Sequence, residues 1–221
     1  MARRKPRRPS PDRETRRSEI IAAAVRLCAR LGMENLTFGA IAKETGLSRP
    51  LIYFYYPDLA SLLLEALRVG SNDLHQRFLA AVHAEASGLD QIRSIGRAYV
   101  NFAREQPEMF ELLAHNESKQ PQGLHEHPSM QQCMQNQESI LGLLVAALQK
   151  GGRDRSIRRD LGDPLKVALC LWGQTHGLIQ LAATKQENLQ EQFGPAYSDL
   201  TEFGLDLITV SLAAPVKQRR A

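Results

Sequence analysis

The chain has 221 residues, 43% of them hydrophobic, and a net charge of +4, which allows one or two domains with a hydrophobic core. No apolar run reaches the roughly 18 uninterrupted residues that span a bilayer, and the longest candidate, residues 164–183, is broken by four polar side chains. The three cysteines are odd in number and lie in apolar helical patterns, which favours small core residues over a disulfide framework. We therefore expect a soluble cytoplasmic protein.

The excess positive charge is concentrated at the N-terminus. Residues 1–17 hold eight basic and two acidic side chains, a net charge of +6, whereas the rest of the chain is balanced or slightly acidic. Three prolines and the lack of apolar periodicity predict a disordered arm over residues 1–14. A flexible arginine-rich arm suits the electronegative minor groove of DNA, and Arg16 and Arg17 at its end are candidate contacts. A solubilising tail or a misassigned start would give the same composition.

A first helix is predicted where Ile20, Ala24, Cys28 and Leu31 share one face, and Gly32 should end it. This helix leads directly into the most informative stretch of the sequence.

Residues 36–56 have the pattern of a helix-turn-helix. Thr37 can cap a short helix that ends near Glu44, and Gly46 suits the left-handed backbone of a sharp turn. Ser48 can cap a second helix, in which Pro50 is tolerated because first-turn amides have no partner within the helix. Two short helices joined by a glycine turn are typical of a domain that reads the major groove. An ordinary corner between two helices is the alternative.

The second of these helices is predicted to present a reading face. Ile52 falls on the inner side, and Tyr53 lies at the edge. The outward positions are Arg49, Pro50, Leu51, Phe54 and Tyr55. Arg49 can donate a bidentate pair to guanine, which is worth ~1–3 kcal/mol of discrimination. The apolar outward side chains suit thymine methyl groups or sugars.

Hydroxyl groups on the same surface suit phosphate oxygens, which position a domain without specifying sequence. They belong to Thr37, Ser48, Tyr53 and Tyr55. Core packing is the alternative for the aromatic run 53–56, but one short helix cannot bury four rings. We expect Tyr56 in the core and at least two of the other rings facing solvent or DNA.

The remaining chain has helical periodicity throughout and no segment with a period of two. Loop 116–129 is rich in proline and polar residues. The predicted helices run from Asp58 to about Val82, from Asp90 to near Pro107, around Phe110, from Met130 to Gly151, from Pro164 to roughly Lys185, and over 200–212. Asp58, Asp90 and Asp163 can cap three of them, Gly88 separates the first two, and Tyr99 falls on the apolar face of the second. The fold class is therefore all-α, with about nine helices.

One set of positions matches a known pattern. They are Thr37, Ile41-Ala42, Gly46-Leu47-Ser48, Tyr53, Tyr56, Pro57-Asp58 and Leu62. These positions resemble the TetR family of transcriptional regulators, strongly over residues 15–70, and the segment 172–178 more weakly resembles the C-terminal domain of one subgroup. The resemblance implies a helix-turn-helix DNA-binding domain over 15–58, a helical effector-binding and dimerisation domain over 59–213, and a tail over 214–221.

Two positions depart from that family. Leu59 stands where a lysine that contacts phosphate is usual, and Gly39 stands where a polar or basic side chain is often found. One phosphate contact and one base contact are therefore missing, and the basic arm can substitute for them.

The larger domain is expected to form a homodimer. Residues 165–182 are apolar almost all round, so this helix should be buried on more than one side. With the last helix it can pack on the same pair in a second subunit. The predicted interface side chains are Leu200, Phe203, Leu207 and Ile208. The alternative is the central helix of a monomer.

The same domain is expected to hold an apolar cavity with a few polar groups, as effector sites usually do. The candidate lining residues are Phe102, Met109, Phe110, Cys133, Met134, Gln137, Trp172 and His176. Core packing is the alternative for most of them, and His176 can bond either a ligand or a backbone carbonyl.

Other chemistry has little support in the sequence. His115, His125 and His127 lack cysteine or acidic partners at the spacing of a metal site, and catalytic motifs are missing, so we expect no metal, no cofactor and no enzymatic activity. An enzyme is the rival class. We predict a repressor that binds double-stranded DNA at a palindromic operator and is released by a small apolar or amphipathic effector. An activator, or an architectural DNA-binding protein without an effector, is the alternative.

Overall fold

The protein is all-α, as predicted. The computed structural model describes residues 11–83, 87–118, 127–194 and 199–215. Within them lie nine α-helices, a short 3-10 helix over Met33–Asn35, and an isolated bridge between Ile157 and Ala213. The helices are α1 (Pro11–Leu31), α2 (Phe38–Thr45), α3 (Arg49–Tyr55), α4 (Leu59–His83), α5 (Gly88–Glu105), α6 (Pro107–Ser118), α7 (Pro128–Asp154), α8 (Pro164–Phe193) and α9 (Leu200–Leu212).

Side-chain caps set several of the helix starts. Asp58 accepts a hydrogen bond from the Ser61 amide at 2.7 Å, and Asp163 accepts one from the Leu165 amide at 2.9 Å, so both predicted caps are confirmed. Helix α5 begins earlier than the predicted cap at Asp90. The Ser87 hydroxyl caps it instead, accepting from the Asp90 amide at 3.1 Å.

Helix α1 begins at Pro11, so the prediction of a disordered arm is wrong for residues 11–14, and residues 1–10 lie outside the described residues. Proline is favoured in a first turn, where its missing amide costs nothing. The helix also continues without an apolar stripe because charged side chains pair along it, as Arg16 does with Glu19 at 2.7 Å.

Of two glycines that the sequence predicted to interrupt helices, Gly88 is the first residue of α5, after α4 has ended at His83, whereas Gly151 lies inside α7. A Cβ on Gly88 would be 2.1 Å from the backbone nitrogen of Gly151, and a Cβ on Gly151 would be 2.4 Å from Ile157. Gly88 therefore allows α5 to approach α7 closely, Gly151 leaves room for the Ile157 side chain, and α7 continues to Asp154. Helix α8 continues past Lys185 through long-chain polar residues and ends at Gly194, where φ is 95°.

The chain divides into two compact units. The first contains the described residues up to Gly70 together with Glu108–Cys133, and the second contains Ser71–Pro107 and the described residues from Met134 onward. The helix-turn-helix unit is thus larger than residues 15–58, and the functional boundary at residue 58 stays a prediction. Much of the predicted loop 116–129 lies outside the described residues.

Each unit has its own apolar core. In the first, Ile20, Ile41, Ile52 and Leu62 are fully buried, which fixes α1 to α4 around one centre. In the second, the fully buried set includes Phe102, Val100, Ala168 and Ile157. No helix in the described ranges is long and apolar enough to cross a bilayer.

The cysteines only partly follow the prediction of core positions. Cys28 and Cys133 are buried, and burial raises the pKa of Cys28 to about 11. Cys170 is exposed on α8, so its prediction as a core residue is wrong. The apolar residues around Cys170 did not indicate a core position, because several other apolar side chains of α8 are exposed as well.

Candidate nucleic-acid interface

Local hydrogen bonds fix the helix-turn-helix. The Thr37 hydroxyl accepts from the Ala40 amide at 3.0 Å, and Gly46 takes the left-handed conformation with φ 70° and ψ 6°. The Thr45 hydroxyl donates to the Ile41 carbonyl at 2.8 Å and accepts from the Leu47 amide at 3.3 Å. The predicted cap, turn and helices are confirmed, and Thr45 adds a link across the turn that the sequence analysis missed.

Ser48 occupies the N-cap position of α3 with an extended backbone, but its side chain makes no capping hydrogen bond. The hydroxyl is exposed and stays available to an external acceptor or donor. Pro50 lies in the first turn of α3, as predicted.

The two faces of α3 have opposite character. Ile52 and Tyr56 are buried, whereas Tyr53 is 54% and Phe54 is 64% exposed. Arg49 and Pro50 are also exposed, while Leu51 and Tyr55 are half-buried. The prediction that at least two of the four rings face outward is confirmed, with Tyr53 more exposed than an edge position would be. Burial raises the pKa of the Tyr56 phenol.

The exposed rings of α3 are held by their neighbours. Tyr53 packs edge-on against Phe38 of α2 with ring centroids 4.5 Å apart, and Phe54 meets Tyr55 at 5.5 Å. The Arg13 guanidinium lies 5.1 Å from the Phe54 ring. Arg13 is therefore a candidate that sequence reasoning missed, because that residue was assigned to a disordered arm rather than to α1.

The two arginines predicted at the end of the arm have partners within the protein. Arg16 pairs with Glu19, while Arg17 lies 5.0 Å from the Tyr56 ring and 3.8 Å from a Glu65 oxygen. Arg17 thus joins α1 to α4. Their roles as DNA contacts stay predictions.

The surface of α2 and α3 carries little negative charge that would repel DNA phosphates. Glu44 is the one acidic residue between residues 36 and 56. Arg30 at 3.1 Å and Arg26 at 3.4 Å neutralise it and lower its pKa. The Arg49 guanidinium, by contrast, forms no hydrogen bond or ion pair with any residue that the structure describes, and it lies over Gly39.

A small cavity of about 30 Å³ lies in the second unit. Trp172, Tyr99 and Thr175 contribute to its otherwise mostly apolar lining. The Tyr99 hydroxyl lies 2.9 Å from Nδ1 of His176 and accepts a long hydrogen bond from the Trp172 indole at 3.5 Å. Burial lowers the pKa of His176, which favours its neutral imidazole.

The eight predicted effector residues are not gathered at this cavity. Trp172 lines it and His176 bonds to Tyr99, while Phe102 is buried outside the lining. Met134 and Gln137 are exposed. The others, Met109, Phe110 and Cys133, are buried in the first unit. Tyr99 was predicted on the apolar core face of its helix, so its hydroxyl was not recognised as a polar group of the cavity.

An exposed apolar surface follows α8 and α9 in the second unit. Phe203 is 64% and Leu207 is 61% exposed, and Leu200 and Ile208 are half-buried. A groove between the two helices is lined by Gln174, Gly177, Leu178, Leu181, Gly204, Leu207, Ile208 and Ser211. The predicted interface residues thus lie on one accessible surface.

Two family models match the chain. The model described as "Bacterial regulatory proteins, tetR family" covers residues 20–66, and "Tetracyclin repressor-like, C-terminal domain" covers residues 92–204, about half of the chain. The chain belongs to the TetR family. Over residues 20–66 this TetR-family chain carries the helix-turn-helix domain of that family's regulatory proteins, as the sequence predicted.

Curated relatives match parts of this TetR-family chain. It is 31% identical over 91 residues to the HTH-type transcriptional regulator BetI of Agrobacterium fabrum, which covers 41% of this chain and 43% of that protein. It is 25% identical over 99 residues to the nucleoid occlusion factor SlmA of Haemophilus influenzae, covering 44% and 45%. The chain thus spans about half the length of the curated relatives it matches.

Solved structures share the whole fold. The ketosteroid transcriptional regulator KstR2 of Mycobacterium tuberculosis has a TM-score of 0.70 at 19% identity, covering 90% of this chain and 96% of that one. The transcriptional regulator FadR of Bacillus subtilis, in complex with stearoyl-CoA, has a TM-score of 0.66 at 17% identity, covering 88% and 98%. A regulator from Saccharomonospora viridis in complex with choline has a TM-score of 0.68 at 21% identity, covering 91% and 100%.

Proposed function

We propose that this protein is a homodimeric repressor that binds a palindromic operator and is released by a small apolar or amphipathic molecule. The observation that carries the proposal is the outer face of α3, where Arg49, Tyr53 and Phe54 are exposed. A short helix that exposes two aromatic rings, beside a guanidinium with no partner among the described residues, leaves apolar surface in water, which a DNA groove would cover.

The side chains of this face have different proposed roles. Arg49 reads a guanine through two donors, and Pro50, Leu51 and Phe54 contact thymine methyl groups or sugars. The hydroxyl groups of the cap and helix residues bind phosphates; they belong to Thr37, Ser48, Tyr53 and Tyr55. Arg16 and Arg17 add positive charge near the minor groove. We now propose the same role for Arg13.

Dimerisation through α8 and α9 is supported by their exposed apolar side chains. Two copies of the surface that carries Phe203 and Leu207 form a self-complementary contact about a two-fold axis. A dimer is also required by the proposed mechanism, since two recognition helices must lie ~34–36 Å apart to bind adjacent major grooves.

Release by a small molecule is supported by the ligands named for two of the similar structures, stearoyl-CoA and choline. The cavity at Tyr99 and Trp172 has room for about one water-sized group. A larger effector must therefore displace the side chains that line it. If the effector prefers a dimer with wrongly spaced recognition helices by ~5.5 kcal/mol, the population moves from 1:99 to 99:1.

We also propose that the protein has no enzymatic activity and acts in the cytoplasm, where its DNA target lies. An activator is the alternative to a repressor, and it would bind its operator with the same face of α3. An architectural protein would bind all duplexes alike. The scarcity of acidic side chains on α2 and α3, where Glu44 is the one acidic residue, would suit such a protein too.

Competition with random duplex separates a sequence-specific regulator from an architectural protein. Genomic fragments retained by the purified protein are challenged with random duplex at fixed salt. A sequence reader should keep its fragment until the competitor is in ~10³-fold excess or more. Displacement by an equal concentration of random duplex would instead identify an architectural protein.

A further inference from the structure

Gly39 and Arg49 lie against one another on the surface of the first unit. A Cβ on Gly39 would be 2.6 Å from Nη2, 3.2 Å from Cζ and 3.4 Å from Nε of Arg49. Those atoms span one edge of the guanidinium. The group therefore rests on α2, although its stem belongs to α3, and a side chain at residue 39 would occupy the same space.

The backbone gives no reason for a glycine at residue 39. The described glycines with positive φ are Gly32, Gly46, Gly162 and Gly194, and Gly39 is not among them. Glycine within a helix costs ~0.5–1 kcal/mol relative to alanine. A side chain at residue 39 would instead displace the Arg49 guanidinium from its contact with Gly39.

The guanidinium that rests on Gly39 has no hydrogen-bond acceptor among the residues that the structure describes. Arg26 and Arg30 of the same unit are bonded to Glu44, whereas no described residue accepts a hydrogen bond from Arg49. Packing against Gly39 therefore places Arg49 by contact alone, and a base does not have to compete with an acceptor of the described chain.

We propose that Gly39 is a positioning residue for base recognition: its missing side chain seats the Arg49 guanidinium where two donors meet a guanine. The inference rests on the proposed DNA-reading role of α3. A Cβ at residue 39 would stand 2.6 Å from Nη2, whereas ordinary contact begins at 3.4 Å, so the guanidinium would be displaced by up to about 0.8 Å. Functional geometries tolerate displacements of only ~0.5 Å.

Gly39→Ala tests the proposal because it disturbs Arg49 without disturbing the fold. The nearest atoms belong to the end of a flexible side chain, which can move away. Alanine also favours the helix, so the melting temperature should not fall. We expect about a tenfold loss of preference at the base pair that Arg49 reads, the same pair at which Arg49→Ala loses preference, with little change in binding to random duplex.

A double-mutant cycle distinguishes an effect of residue 39 that acts through the position of Arg49 from a direct contact between residue 39 and DNA. In the Arg49→Ala background, Gly39→Ala should have no further effect on base preference. Gly142→Ala on α7 is the matched control, since a Cβ there meets nothing within 4 Å and should leave the preference unchanged. Tyr53→Phe is the control for phosphate contacts and should weaken all sequences about equally.

The proposal is overturned if Gly39→Ala keeps the wild-type preference, or if it costs as much in the Arg49→Ala background as in the wild type. If Arg49→Ala itself leaves base preference unchanged while the wild type still selects a site, the inference and the proposed role of Arg49 both fail, and the proposed sequence-specific repressor stands. A wild-type protein that selects no site would defeat the proposed function itself.

Discussion

Leu207→Glu tests the proposed dimer interface most sharply. Leu207 lies in the groove between α8 and α9 and is 61% exposed within its own chain. The alternative that this position is internal core is therefore wrong, and a charge there should not unfold the chain. In a dimer, each copy would place a carboxylate in an apolar contact that contains no described cation among its groove-lining residues.

The expected size of the effect follows from burial. Covering a whole leucine side chain is worth ~1.5–3 kcal/mol, so covering the exposed 61% contributes ~1–2 kcal/mol per copy. The substitution removes two such contributions and also requires two carboxylates to be desolvated at several kcal/mol each. The total free-energy cost to dimerisation therefore exceeds ~4 kcal/mol. The dimer dissociation constant should rise by ~10³-fold or more.

Sedimentation gives the mass and circular dichroism gives the helix content of the same sample. We expect half of the wild-type mass with full helicity, and operator binding only at much higher protein concentration. Leu31→Glu is the control, because Leu31 is an exposed apolar residue at the end of α1, outside the groove. A Leu207→Glu dimer of wild-type affinity would refute the assignment, and lost helicity would show that Leu207 supports its own chain.

Three further outcomes can be measured. Deleting residues 2–13 should weaken operator binding and flatten its salt dependence by ~0.9 in log–log slope per lost phosphate contact, and an unchanged slope would make the arm idle. A thiol reagent should modify exposed Cys170 in the native protein but not Cys28, whose buried thiol has a pKa of about 11; equal reaction rates would contradict that placement. Because burial lowers the pKa of His176 in the folded state, the free energy of unfolding should decrease as pH falls below about 6.5, and His176→Gln should lessen that slope in chemical denaturation. Identical slopes for both proteins would show that His176 is not the group responsible.

The helix-turn-helix could be predicted from the sequence because short-range interactions determine it. The Thr37 cap, the left-handed Gly46 and the first-turn Pro50 each act within three or four residues. The period of apolar residues likewise separated buried Ile52 and Tyr56 from exposed Phe54.

Features that depend on distant partners were missed. Gly151 was predicted to stop a helix, although it lies within α7, where its missing side chain leaves room for Ile157. Cys170 lies in an apolar pattern that gives no sign of which side faces solvent. The contact of Gly39 with Arg49 joins residues ten positions apart across the turn, and it depends on a side-chain conformation that no periodicity encodes.

The effector residues were the least predictable part. Their choice rested on Met, aromatic and polar side chains at helical spacing, a pattern that core residues share. The hydrogen bonds that link Trp172, Tyr99 and His176 depend on how α5 and α8 pack within the second unit.

Selection of binding sites from a library of random duplexes tests the central claim, that two copies of α3 read one operator. We expect an enriched inverted repeat whose half-sites are centred about one helical turn, ~10 base pairs, or a multiple of it, apart. We also expect the selected duplex to carry an even number of protein chains. Enrichment of no sequence, or of one unpaired half-site bound by a single chain, would contradict it.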